Sequence, residues 1–340
     1  AIFFSKIPDI SIFKAFNWIL TIVTLFFAWI GLNTNEKMNL KNWIVNFIII
    51  ITIISLFTIP FPEVGFNNNR LLFQGILNHS QAFGLTISVL ISFLIGQLFS
   101  QKKINLFLVF MILICFFSIY ISMSRVSGIS ILIAIIISLL FFSIFSRSRI
   151  RSYAPFFLSK SGFLIVLFLL AIFILFQSYF LDFLNNFISK GNVISVDSLM
   201  SAYTQSREIL YGPIISNITV NPLIGIGFGV ASDPLSMNIK YSQFLNIPIS
   251  AAIEKGNMLL AVLEEVGVFG FLFFIVWVYY LGKRAFYNGF TYFLVFINFF
   301  LLNLAEAGLF SPGGFGMLNL IILTLIVTKP KIQIIRSANV

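Results

Sequence analysis

The chain has 340 residues, of which 59% are hydrophobic and only 9% charged, with 44 phenylalanines and a formal net charge of +10. An ordinary soluble domain is nearer half apolar and a quarter charged, so this composition, with a mean hydropathy of +1.03, excludes one and points to a polytopic membrane protein. The positive charge reads as an orientation signal and not as a nucleic-acid surface, because no folded basic domain is present to hold a duplex.

In chain order, apolar runs cover roughly residues 14–31, 43–60, 82–100, 105–123, 128–146, 162–181, 258–281, 289–305 and 315–328. A helix rising 1.5 Å per residue needs about 20 residues to cross a hydrocarbon core of about 30 Å, whereas barrel strands would alternate over about ten. The predicted fold is therefore all-α: a polytopic membrane helix bundle of about nine spans with one large external loop containing short helices. Its expected organisation is six spans within 1–181 with an external loop at 61–81, then a large external loop at 182–257. Three spans and a basic cytoplasmic tail follow within 258–340. Lysines and arginines gather in alternate connections, at Lys37 and Lys41, Lys102 and Lys103, Arg147 to Lys160, Lys283 and Arg284, and Lys329 to Arg336. The positive-inside rule makes these connections cytoplasmic. The amino terminus is then external, and a start at Ala1 implies one or more helices upstream. Cys115 is the single cysteine, so neither a disulfide framework nor a cysteine metal site is expected.

The external segments hold the candidate chemistry. The loop at 61–81 carries Arg70 and His79; the short SRVSG turn carries Arg125; the large loop carries Arg207 within a stretch of helical spacing, Ser198 to Ile218, before the Gly/Pro passage from Asn221 to Gly229. Guanidinium groups bind phosphate through paired hydrogen bonds and stay charged, so arginines converging from three segments would suit a diphosphate. The plainer role for each is to anchor a helix end at the interface. His79 would serve as a base or ligand, or as a hydrogen-bonding stop where the loop enters its helix. Glu264 and Glu265 follow Asn257 into the membrane, where an isolated charge costs about 2.5 to 3.5 kcal/mol. On a straight helix Glu265 lies about 12 Å below the outer surface, either bonded to a neighbouring helix or orienting an arginine or a reacting group. Glu264 projects about 100° away, and Gly267 and Gly270 would allow close helix contact. Glu306 ends another helix on the same side. Neither a Walker A loop, an Asp-x-Asp pair nor an HExxH pattern occurs, so no cofactor and no metal are expected.

Four segments resemble those of the O-antigen ligase and O-antigen polymerase superfamily of bacterial polysaccharide-assembly proteins. They are FQGILNHSQAFG, SMSRVSG, SREILYGPIISNITVNPLIGIGFG and NMLLAVLEEVGVFG, together covering about residues 70–270. The resemblance implies a GT-C-like bundle in the bacterial inner membrane with its active site facing the periplasm. It implies inverting, metal-independent transfer of a glycan from an undecaprenyl-diphosphate donor to another glycan or to lipid A core, with a chain-length regulator as a partner. Arg125 and Arg207, and more weakly Arg70, would hold the diphosphate. Ligases of this family carry a histidine before the motif asparagine; here Gly256 stands there, leaving Glu254 as the nearest base and His79 a more distant one, with Glu265 orienting. That departure favours a polymerase-like member over a ligase to lipid A core. A transporter or flippase for the same lipid-linked glycans, and a non-catalytic membrane subunit, are the alternatives from other classes.

Overall fold

The computed structural model describes residues 4–67, 72–101, 105–145, 210–244, 247–251, 255–311, 313 and 315–328. Helices α1 (Pro8–Gly31), α2 (Thr34–Leu56), the single turn α3 (Pro62–Gly65), α4 (Ser80–Ser100), α5 (Leu106–Ile121) and α6 (Arg125–Phe145) come first. Then follow α7 (Leu210–Val220), a hairpin of β1 (Ile239–Tyr241) and β2 (Pro248–Ala251), α8 (Met258–Asn288), α9 (Phe290–Ala305) and α10 (Phe315–Val327). Every expected apolar run within the described residues falls on a helix, while the run at 162–181 lies outside them. Five helices, α1, α2, α4, α6 and α8, are long and apolar enough to cross a membrane; α5, α7, α9 and α10 are apolar but shorter. The chain is thus helical, with membrane-crossing helices and one small antiparallel hairpin that the apolar pattern did not announce.

Helices α1, α2, α4 and α6 start further upstream than hydropathy suggests because a helix opening does not require apolar residues. The polar stretch opening α2 is helical: the Asn33 N–H donates to the Glu36 carboxylate at 2.7 Å, one half of a capping box, and Lys37 N–H donates to Asn33 O as the first bond of the helix. Asn105 caps α5 by accepting from the Phe107 and Leu108 N–H groups.

The chain divides into two units. One comprises residues 48–212 and 289–305, and α4 is its centre: 83% of its most apolar window is buried, with α5, α6 and α9 packed on it. Small residues make that possible. Gly84 lies where a Cβ would collide with Ser124, and Gly96 where one would collide with Thr291. Ser88 and Asn298 add a reciprocal interhelical bond, with Asn298 Nδ2 donating to Ser88 O at 3.1 Å and to Ser88 Oγ at 3.0 Å. The segment before α4 is tied down in the same unit. Phe73 is fully buried against Phe66 and Phe83, and Ile76 N–H donates to Ser55 Oγ.

The other unit comprises residues 1–47, 213–288 and 306–340. Within it α10 packs on both α1 and α8, and β2 touches α1. The Tyr241 hydroxyl donates to Asp9, fixing the hairpin to the start of α1. Rings from α1, α8 and the loops interlock: Trp18 meets Trp277 edge-on at 5.8 Å and Phe310 at 5.2 Å, and its Nε1 donates to Leu309 O.

Candidate functional site

The site grows out of a break in α8. Gly267 has φ +64° and ψ −173°, outside helical space. In an unbroken helix Glu264 O would accept from Val268 N–H. Instead Glu264 O accepts from Ile226 N–H at 2.9 Å and Glu265 O from Gly227 N–H at 3.0 Å, while Val268 N–H donates to Pro222 O at 2.9 Å. The Gly/Pro passage from Asn221 to Gly229 therefore lies along the broken turn and satisfies the groups that the break frees. A side chain at Gly267 would collide with the backbone of Leu223, which is why this position has none. The sequence reading assigned Gly267 to close helix contact; the partner is loop backbone, and the helix is kinked, not straight.

The two carboxylates above the break are buried, Glu264 at 0% and Glu265 at 8% exposure, and both are paired. Lys255 Nζ lies 2.8 Å from Glu264 Oε2 and 3.0 Å from Glu265 Oε1, itself only 3% exposed. Glu264 also accepts from Asn217 Nδ2 at 2.8 Å and from Ser232 Oγ at 3.0 Å; Glu265 Oε2 accepts from Gly229 N–H at 2.6 Å. Two further lysines stand one bond behind. Lys14 Nζ donates to Gly229 O at 2.9 Å, and Lys6 Nζ donates to Asn217 Oδ1 at 3.0 Å. Ion pairing, charge-assisted bonds and oriented backbone offset the cost of burying these groups. Glu264, which the sequence places about 100° around the helix from Glu265, is the more fully bonded.

Local chain geometry aims Lys255 at them. Gly256 has φ +65°, and Asn257 N–H donates to Lys255 O at 2.7 Å, closing a three-residue turn immediately before α8. Asn257 Oδ1 then caps the helix by accepting from the Leu259 and Leu260 N–H groups. The glycine standing where the resemblance expects a histidine is thus the residue that lets the backbone reverse here, since left-handed φ costs other L-residues about 1 to 2 kcal/mol. Beside Glu265 opens a cavity of about 330 Å³ walled largely by rings, among them Trp18, Phe228, Phe274, Trp277 and Phe310.

In the other unit, Arg125 begins α6 on a tight turn. Met123 holds φ +50°, Arg125 N–H donates to Met123 O, and Ser124 and Ser127 hydroxyls lie 2.7 Å apart. Arg125 is half-buried, and its buried Nε–H has no acceptor among the described residues. His79 is exposed and caps α4: its Nδ1 accepts from Gln81 N–H at 3.2 Å. This matches the stop expected where loop enters helix. Arg70, Arg207 and Glu254 lie outside the described residues. Sequence reasoning did not connect Lys255, Asn217 and Ser232 to the carboxylates; the signal available was the conjunction of a lysine and a glycine just before a charged helix start. No known protein family, curated protein or solved structure matches the chain.

Proposed function

We propose that this protein is a membrane glycosyltransferase of the polysaccharide-polymerase kind, moving a glycan from an undecaprenyl-diphosphate carrier to a growing glycan at the outer face of the bacterial inner membrane. The observation that carries the reading is Arg125: a guanidinium at the start of a membrane helix, half-buried, with an Nε–H lacking an acceptor. A buried donor of this kind costs about 1 to 3 kcal/mol unless an acceptor arrives, and diphosphate oxygens are strong ones. The segments resembling the O-antigen ligase and polymerase superfamily add support.

In the inverting step, the acceptor hydroxyl oxygen attacks the anomeric carbon as the bond from that carbon to the diphosphate oxygen breaks. The diphosphate leaves with the electron pair, and Arg125 with Arg207 stabilises its growing charge. The hydroxyl proton passes to a carboxylate, for which Glu254 is the candidate. Glu265, with both oxygens engaged, is a positioning group that holds Lys255 and the Gly229 backbone.

Purified protein supplied with lipid-linked donor and glycan acceptor tests this by product length on a gel. Arg125→Ala is expected to slow transfer about 10² to 10³-fold, the usual loss for one group stabilising developing negative charge. Undiminished chain extension by both Arg125→Ala and Arg207→Ala would sink the diphosphate role. A second reading, transport of the same lipid-linked glycan, is favoured by the break in α8 beside buried charges. Appearance of a new glycosidic bond in detergent, where no transport is possible, decides for transfer.

A further inference from the structure

The C-terminal end of α8, on the side that the positive-inside rule makes cytoplasmic, carries a feature that the transfer chemistry does not use. Tyr280, Lys283, Arg284 and Tyr287 line a surface cavity of about 360 Å³. Their spacing of three, one and three residues places them on one helical face. Lys283 and Arg284 are exposed, and neither pairs with a carboxylate among the described residues. Tyr280 and Tyr287, 58% and 53% exposed, flank the two cations, and tyrosines are enriched at membrane interfaces.

The same face continues into the bilayer as an unbroken apolar stripe. Phe269, Leu272, Phe273 and Val276 are all more than half exposed and lead down to Tyr280. From Phe269 to Tyr280 is eleven residues, a rise of about 16 Å on a helix. One leaflet of hydrocarbon is about 15 Å deep, half of a core of about 30 Å. The stripe begins just past the break at Gly267, so it is a straight helical surface for its whole length. An apolar track one leaflet long, capped by two tyrosines and by two cations that have no carboxylate partner among the described residues, has the dimensions and polarity of one phospholipid with a negatively charged head.

We propose that this face of α8 is a binding site for an anionic phospholipid of the cytoplasmic leaflet. Lys283 and Arg284 hold the head-group phosphate, the tyrosine hydroxyls donate to it or to the glycerol oxygens, and an acyl chain lies along Phe273 and Leu272. The site does not depend on the transfer reaction proposed above.

The full chain, purified in detergent and titrated with phosphatidylglycerol or phosphatidylcholine under native mass spectrometry, gives the test. Each basic residue at an anionic surface contributes about fivefold in binding, so the pair accounts for about thirty-fold. Lys283→Gln/Arg284→Gln is expected to lose about that factor for phosphatidylglycerol with little change for phosphatidylcholine. The charge-preserving exchange Lys283→Arg/Arg284→Lys keeps it. Lys331→Gln/Arg336→Gln, which removes the same charge from the carboxy-terminal tail, leaves it intact. Equal retention of the two lipids by the native chain, or an equal loss in the tail variant, would overturn the site. Displacement of phosphatidylglycerol by millimolar inorganic phosphate would overturn its assignment to a lipid.

Discussion

Replacing Lys255 with methionine keeps the length and apolar stem of the side chain while removing the one cation that touches both buried carboxylates. Glu264 would lose one of its three side-chain partners and keep Asn217 and Ser232; Glu265 would lose one of two and keep only the Gly229 N–H. Breaking a buried ion pair by removing one partner costs about 3 to 5 kcal/mol. At about 2 °C per kcal/mol for a chain of this size, the unfolding midpoint should fall by about 8 °C. The assay is thermal unfolding of detergent-purified protein followed by tryptophan fluorescence. Adding Glu264→Gln and Glu265→Gln to Lys255→Met removes all three charges, and more than half of the lost stability should return. A Lys255→Met variant within a degree of the native midpoint would refute the claim that this lysine holds the site together. So would a triple variant less stable than the single one.

Gly256→Ala is expected to cost about 1 to 2 kcal/mol through its left-handed backbone, whereas Gly256→Asn, which tolerates that region, should cost much less; comparing the two midpoints separates backbone strain from loss of space. In the other unit, a double-mutant cycle on Ser88→Ala and Asn298→Ala should give a coupling of about 0.6 kcal/mol, with about 1.7 as a ceiling for hydrogen bonds between membrane helices. A coupling indistinguishable from zero would mean that the reciprocal bond is not made in the bilayer.

The helices were legible because hydropathy is a local property and every crossing segment must carry its own apolar run. Glu264 and Glu265 were also legible as a problem, since few charges occur in this chain and these two follow an asparagine into lipid. Their solution was not. It is made by Asn217, Ser232 and Gly229, some 30 to 50 residues upstream, and by backbone N–H groups that have no identity in the sequence. Lys255 was visible beside the site, yet its direction is set by the backbone reversal at Gly256, and a positive φ at a glycine cannot be read from composition. His79 was readable as a cap from its position alone, because a polar side chain at the mouth of an apolar run has an unpaired N–H group within reach.

The break in α8 also bears on how the protein is built. A helix that lacks its own bonds at Gly267 enters the membrane with peptide groups unsatisfied, which is costly in hydrocarbon. Each group that answers the break, on Pro222, Ile226 and Gly227, precedes α8 in the chain, as do Asn217, Ser232 and Lys255, which hold its carboxylates. A ribosome therefore delivers the receiving surface first and the damaged helix second. During synthesis α8 can partition into lipid against a loop already waiting for it, so this order of translation spares it a period as an incomplete span.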